Sequence, residues 1–236
     1  MKVLMAYARA LVRARVLPRL AGWRARGDAR NTDADPRGIN RVLDQISAAW
    51  FKKFPAQKLQ AISEKIARLT SEHQKGQLFK QVKASVGVDL KGMTDKGLGE
   101  RIKRFTAENV ALIETLPQRY FDDIERSVLE GVRAGARASD IAEDMQERFS
   151  VSESRAKIIA RDQVLKFNGE LNGARQKALG IEGYIWRTVK DERVRDTHQE
   201  LDGELFSWDA PPEPGHPGED YNCRCYAEPV LPVFEE

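Results

Sequence analysis

The sequence is poor in cysteine and histidine and has no long hydrophobic run. Its 236 residues include two cysteines and three histidines, and no stretch approaches the roughly 20 apolar residues that a membrane helix needs. So few cysteines exclude a disulfide-rich scaffold and fit a reducing compartment. Hydrophobic residues make up 41% of the chain, enough for a core, whereas the 32% of charged residues favours long, solvated helices.

Acidic residues are absent from residues 1–27, which carry seven basic residues, although the formal net charge of the whole chain is only +3. Such an arm is typical of a mitochondrial transit peptide, of a segment that contacts nucleic acid, or of a helix that docks on an acidic partner. The alternative is an amphipathic helix whose arginines face water. The candidate residues for binding nucleic acid or a partner are Arg9, Arg13, Arg15, Arg19, Arg24 and Arg26.

Apolar residues recur at helical spacing through the first 180 residues. This periodicity predicts helices over 3–26 with a break at Pro18, over 39–72 with a break at Pro55, over 98–116 and 118–134 around Pro117, and over 139–149 and 152–179 behind caps at Ser139 and Ser152. The apolar stripes of 39–69, 101–116 and 118–132 are predicted to be core. The polar residues 27–38 are predicted to be a linker.

After Gly180 the pattern changes from helical to alternating. The alternation predicts a strand over 183–189, and shorter strands are predicted within 203–208 and 223–230. We therefore predict a mainly α protein with a long helical N-terminal body and a small α+β C-terminal module. The predicted domains are a basic N-terminal arm over 1–27, a helical region over 28–120, and a C-terminal domain over 121–236 with helices over 118–179 and the α+β module over 180–230.

The stretch GHPGEDYNCRCYAEPV, residues 215–230, contains both cysteines of the chain. His198, His216, Cys223 and Cys225 together have the ligand types of a closed tetrahedral zinc site, and zinc is the cofactor that this set would take. The Cys-x-Cys spacing is shorter than the spacing in familiar zinc modules. A metal would explain how a small, loop-rich module stays folded.

Two other interpretations of these residues remain open at the level of sequence. A cysteine beside His198 and an aspartate would make a thiol nucleophile pair, and the two histidines with Asp191 and Asp202 would hold a catalytic metal. In the structural interpretation, the aspartates are turn residues and the cysteines pack as small hydrophobes.

The order of these residues resembles the phage minor head protein family, also called the Mu F-like or phage head morphogenesis group. The resemblance covers about residues 125–230 and rests on Gly-Tyr-x-Trp, Asp-x-Arg-x-Arg-x-x-His, Asp-Gly, Pro-Gly-Glu and Asn-Cys-Arg-Cys, in that order. The residues that we expect to form the family's motif cluster are Arg161, Trp186, Asp191, Arg193, Arg195, His198, Asp202, Gly203, Asn222, Cys223, Arg224 and Cys225.

The resemblance implies a non-enzymatic minor capsid protein of a tailed phage or prophage. Such a protein is expected inside the capsid near the portal, after assembly in the host cytoplasm, and to act in procapsid assembly and in DNA packaging or delivery. The implied partners are the portal protein and, beyond it, DNA, scaffold or major capsid protein. The alternative function is a metal-dependent hydrolase or nuclease that uses His198, Asp202, His216 and Cys223.

Overall fold

A computed structural model describes residues 1–24, 36–90, 95–134 and 136–231. Its helices are α1 (Lys2–Arg15), α2 (Leu17–Arg24), α3 (Pro36–Lys53), α4 (Ala56–Val86), α5 (Leu98–Arg133), α6 (Ala138–Ala178) and α7 (Asp196–Gln199). Its strands are β1 (Gly183–Arg187), β2 (Leu205–Ser207) and β3 (Tyr226–Pro229). The prediction of a mainly α protein with a small α+β module at the C-terminal end is confirmed. Most of the predicted linker, residues 27–38, lies outside the described residues.

Two of the predicted helix breaks are wrong. Helix α5 continues through Pro117, because the turns on both sides of the proline bury residues such as Leu116 and Tyr120 in one core, and tertiary packing outweighs the lost hydrogen bond. Helix α6 likewise continues past Ser152. The break near Pro18 is confirmed, because α1 ends at Arg15 and Pro18 lies in the first turn of α2, where a proline costs no hydrogen bond.

The chain divides into two compact units, one formed by Met1–Ala61 and Glu108–Ile159 and the other by Ile62–Ala107 and Ala160–Glu236. In the first unit, α1 buries Leu4, Met5 and Ala8 in a core shared with α3 and the neighbouring parts of α5 and α6. The indole N–H of Trp50 donates to the carbonyl of Leu4 over 3.1 Å. The basic N-terminal segment therefore contributes one apolar face to this core.

In the second unit, α4 does not bury the stripe that the sequence predicts. Ile62, Ile66 and Leu69 are 40%, 39% and 55% exposed, whereas the polar Ser71 and Gln74 are buried. The reason is a buried polar network that α4 shares with α6, which outweighs the apolar pattern of the helix. The three exposed residues, hereafter the α4 stripe, lie on one face because they are spaced four and three residues apart.

Arg175 of α6 is the centre of that network. Its side chain is 3% exposed, and it donates to the carbonyl of Ser71 over 2.9 Å and to the Ser71 hydroxyl over 2.8 Å. It also binds both carboxylate oxygens of Asp95, over 2.7 and 3.0 Å. Gln74 accepts a further hydrogen bond from the guanidinium. A buried guanidinium is tolerated here because its donors have partners.

The C-terminal module of the second unit is built on a three-stranded antiparallel sheet in the order β2-β1-β3. Tyr184 pairs with Phe206 of β2, and Trp186 pairs with Ala227 of β3. Alternate residues of β1 are buried, as the period-2 pattern predicts. Tyr184 and Trp186 pack with Trp208 and both cysteines in the module's own core. Within the described residues, no helix combines the length and hydrophobicity that crossing a membrane would require.

We predict that Asp95→Asn destabilises the protein by about 2 kcal/mol at pH 7, because it weakens a charged hydrogen bond to a buried guanidinium. The Arg175 hydrogen bond is the main reason that the pKa of Asp95 lies below its usual value. A depressed carboxyl pKa stabilises the fold above the unfolded pKa of about 4, and this stabilisation is lost as the pH falls through the folded pKa. The difference between wild type and variant should therefore shrink in acid.

Urea unfolding at pH 7 and at pH 3 tests this prediction. Asp209→Asn is the matched control, because Asp209 pairs with Lys177 over 3.1 Å but is 93% exposed, and exposed pairs contribute little. Equal unfolding free energies for the Asp95 and Asp209 variants at pH 7 would contradict the prediction.

Candidate functional site

His198, Cys223 and Cys225 form one cluster inside the C-terminal module, hereafter the His–Cys cluster. His198 lies on α7, and the two cysteines lie in the segment that leads into β3. The Nδ1 atom of His198 is 3.6 Å from Sγ of Cys223 and 3.5 Å from Sγ of Cys225. All three ligand atoms lie within 4.8 Å of one another. Both cysteines are free thiols and are buried.

The other ring nitrogen of His198 faces a carboxylate. Oδ2 of Asp220 lies 3.2 Å from Nε2, although this approach is off the line of a well-aligned hydrogen bond. Asp220 is itself fixed, because Arg195 binds the same oxygen over 3.0 Å and the backbone N–H of Tyr221 donates to Oδ1 over 2.6 Å. The imidazole therefore has sulfur on one side and a positioned carboxylate on the other.

The two thiols of the cluster differ in acidity. Hydrogen bonding from Cys225, through its thiol and its backbone N–H, lowers the pKa of Cys223 to about 5 against the opposing effect of burial. The pKa of Cys225 is raised, chiefly because its thiol donates to Cys223 and because it is buried. The arrangement therefore favours the thiolate form at Cys223 over Cys225.

His216 and Asp202 do not join the His–Cys cluster. Nδ1 of His216 lies 2.9 Å from the hydroxyl of Tyr184, its ring packs against Trp208, and burial lowers its pKa. Asp202 accepts the backbone N–H of Thr188 over 2.8 Å. Of the four residues in the hydrolase alternative, the structure brings together only His198 and Cys223. Of the four metal ligands predicted from the sequence, His216 lies outside the cluster.

Asp191 and Arg224 form an ion pair that closes the long loop of the module, and Asp191 also accepts the backbone N–H of Arg193 over 3.1 Å. The Arg224 hydrogen bond is the main reason that the pKa of Asp191 is lowered. Gly203 and Asn222 have positive φ angles of 97° and 55°, which their residue types tolerate. These motif residues therefore build turns around the cluster.

Residues of α6 that the sequence analysis did not single out hold the module in place. Asp162 accepts the backbone N–H of Asn222. Gln176 donates to the carbonyl of Ala227 over 3.0 Å and accepts the indole N–H of Trp208 over 3.1 Å. Asn172 donates to the same carbonyl over 2.8 Å. The face of α6 that contacts the module could have been identified from the sequence. It carries polar and glycine residues at spacings of three and four within a predicted helix.

The remaining predicted residues lie elsewhere in the structure. Arg161 is partly exposed on α6. In the N-terminal segment, Arg9 binds Gln146 over 2.6 Å and lies over the Phe149 ring. Arg13, Arg15 and Arg19 are exposed, and the side chain of Arg24 and the whole of Arg26 lie outside the described residues. Of these exposed arginines, Arg19 donates to the carbonyl of Arg15 over 2.6 Å.

Comparison with known proteins finds a family match over the C-terminal half of the chain. Residues 122–228 match the family described as Phage Mu protein F like protein. An uncharacterized protein of Haemophilus influenzae is 32% identical over 225 residues, 84% of this chain and 50% of its own length. Minor head protein GP7 of Bacillus phage SPP1 is 26% identical over 140 residues, 50% of this chain and 46% of its own.

A third relative, an uncharacterized protein of Methanocaldococcus jannaschii, is 33% identical over 102 residues, 43% of this chain and 16% of its own length. The chain thus spans half or less of the length of these relatives. No solved structure matches it significantly. The family match contains the whole His–Cys cluster and all of α6.

We predict that Gly169→Ala loosens the packing of the module against α6. A Cβ atom at Gly169 would lie 2.7 Å from the carbonyl oxygen of Pro217 and 3.3 Å from the Cα atom of Gly218, so backbone would have to move. Gly76→Ala is the matched control, since it is also a glycine inside a helix but has nothing within 4 Å. We expect the control to stabilise the fold by about 0.5–1 kcal/mol and Gly169→Ala to destabilise it by about 1–3 kcal/mol.

Thermal unfolding of the two variants measures this difference directly. Both substitutions gain the same helix propensity, so only the local contacts distinguish them. A melting temperature for Gly169→Ala at or above that of Gly76→Ala would show that α6 and the 215–218 turn do not approach each other closely.

Proposed function

We propose that the protein is a minor head protein that joins the portal during procapsid assembly and acts in DNA packaging or delivery, because residues 122–228 match the family described as Phage Mu protein F like protein. The single observation that carries the proposal is the family match over residues 122–228, which contains nearly all of the C-terminal module. The relative named as a minor head protein supports the same role. The place we propose for the chain is the capsid interior, near the portal, after assembly in the host cytoplasm.

The α4 stripe is the surface that we propose for the portal or another head protein. Ile62, Ile66 and Leu69 are each more than a third exposed, although an α-helix in a protein usually turns its apolar stripe towards a core. Exposed apolar residues on one helix face are typical of a protein interface. Helix-in-groove docking uses anchors at this spacing.

We predict that Ile66→Asp/Leu69→Asp reduces the amount of this chain in purified heads by about tenfold or more, because a charge at an interface anchor weakens binding strongly. The free energy of unfolding should change little, since both side chains are exposed. The measurement is quantitative immunoblotting of heads assembled with the portal protein of the same phage.

Gln60→Asp/Gln77→Asp is the control for this experiment. Both glutamines are exposed on α4, and the control adds the same charge to the same helix. If the two double variants enter heads equally well, the α4 stripe is not the docking surface. If the wild-type chain is itself absent from heads, the proposed function is wrong.

The exposed arginines of the N-terminal segment support a second contact, with DNA. Arg13, Arg15 and Arg19 are exposed in a segment that also buries an apolar face. Arg13 and Arg15 also lie in the last turn of α1, where a positive charge stabilises the helix through its dipole. DNA binding by these side chains would release counterions and weaken as salt increases.

We predict that Arg13→Gln/Arg15→Gln/Arg19→Gln weakens binding to duplex DNA and lowers the slope of log affinity against log salt by about 3 at most, since each lost phosphate contact removes about 0.9. Fluorescence anisotropy with labelled DNA over a salt series measures both quantities. The control replaces Arg41, Lys52 and Lys53, three exposed basic residues of the same unit, by Gln. An equal loss in the control would mean that net charge, and not the segment, causes the binding.

A hydrolase or nuclease is the weaker alternative. Its proposed residues lie in three places, because His216 binds Tyr184 and Asp202 caps the end of β1. Cys223 and His198, which with Asp220 would make a Cys–His–Asp arrangement, are buried, so a large substrate would not reach the sulfur without opening the module. Assembly is therefore the function that the chain supports best.

A further inference from the structure

The two nitrogen–sulfur distances of the His–Cys cluster match those between the ligands of a tetrahedral zinc ion. Zinc lies about 2.3 Å from a cysteine sulfur and about 2.0–2.1 Å from a histidine nitrogen. At a tetrahedral angle, these bond lengths put the sulfur and the nitrogen about 3.6 Å apart. The observed distances from His198 Nδ1 are 3.6 Å to Cys223 and 3.5 Å to Cys225.

The Cys225 thiol donates to Cys223, so its proton is not shared with Nδ1, and hydrogen bonding leaves the short distance from Cys225 Sγ to Nδ1 unexplained. A neutral imidazole with its proton on Nε2 has one lone pair, on Nδ1, and that lone pair accepts one hydrogen bond well. Here two sulfurs converge on the same nitrogen. A cation between the three atoms would use the lone pairs of all of them and would replace the thiol protons.

The far side of the imidazole is arranged as in many metal-binding histidines. A ligating histidine commonly turns its second nitrogen towards a carboxylate, which fixes the tautomer and raises the basicity of the ligating nitrogen. Asp220 lies 3.2 Å from Nε2, and Arg195 holds Asp220 in place over 3.0 Å. The carboxylate thus favours the tautomer that leaves Nδ1 open towards the sulfurs.

From this geometry we infer that His198 Nδ1, Cys223 Sγ and Cys225 Sγ bind one zinc ion, with Asp220 positioning the imidazole. Two sulfurs and one imidazole nitrogen select a borderline-soft metal and exclude calcium and magnesium, which prefer oxygen ligands. Three protein ligands leave one position of the tetrahedron for a water molecule or another side chain. His216 is not a ligand.

The metal's role in this chain is to close the loops of the module. It ties α7 to the segment before β3, across a region with few strand hydrogen bonds and a small core. In such a module the free energy of metal binding contributes directly to folding. Removal of the metal should therefore loosen this module.

The test is made on the full chain, purified after expression in zinc-supplemented medium. We expect one zinc ion per chain by mass spectrometric metal analysis, and two thiols that react with a thiol reagent under native conditions only after chelation. Replacement of zinc by cobalt should give the ligand-field bands of a tetrahedral site and a thiolate-to-cobalt charge-transfer band. These readouts need no knowledge of the protein's activity.

Four variants locate the site. Cys223→Ser and Cys225→Ser should each lose zinc and the charge-transfer intensity, whereas His216→Ala should keep both. Asp220→Asn should keep the cobalt spectrum but bind zinc about 10- to 100-fold more weakly, as expected for a residue that positions a ligand. The wild-type cobalt spectrum stays informative even if a cysteine variant fails to fold.

Three results would overturn the inference. The first is a folded wild-type chain without stoichiometric zinc and without a cobalt–thiolate band. The second is a cysteine variant that keeps full zinc content. The third is rapid alkylation of Cys223 in the folded, zinc-supplied chain, which would indicate an accessible thiol nucleophile instead of a metal ligand.

Discussion

The C-terminal module depends on the polar face that α6 presents to the last strand. The amides of Asn172 and Gln176 both donate to the carbonyl of Ala227, and Gln176 also accepts the indole N–H of Trp208. A carbonyl next to a helix would lose its water on burial, and an unpaired buried carbonyl costs about 1–3 kcal/mol. These side chains therefore select one position of β3 along the helix, because sliding by one residue would leave the amides without partners.

The need for the α6 amides to reach the carbonyl of Ala227 also explains why small residues alternate with polar ones on this face of α6. Gly169 lies against the backbone of Pro217, and Gly173 lies against the ring of Trp208, so the module comes close enough for the short amide side chains to reach it. Close approach and hydrogen bonding are two parts of one arrangement, since a larger residue at either glycine would separate the surfaces beyond hydrogen-bond distance.

The sequence predicts the type of most elements correctly, because helical and alternating periodicities persist over many residues. Packing decides the rest, as the uninterrupted α5 at Pro117 illustrates. The exposure of Ile66 was not predictable from the sequence of α4 alone. It follows from the buried network around Arg175, which lies 104 residues after its partner Ser71 in α4. In the site, residue types identified His198 and the cysteines, but only the fold separates His216 from them.

The motif residues of the module thus divide into two physical roles. Asp191 and Asn222 shape turns, through an ion pair with Arg224 and through a positive φ angle, and such roles need only a suitable backbone. Cys223 and Cys225 have a different role, because they direct two sulfurs at one nitrogen of His198 in the interior of a small module. A turn does not require this arrangement. Apolar residues of similar size would fill that space at lower cost than a histidine beside a carboxylate. The cost of placing this polar cluster in the interior therefore supports the zinc site that we propose for it.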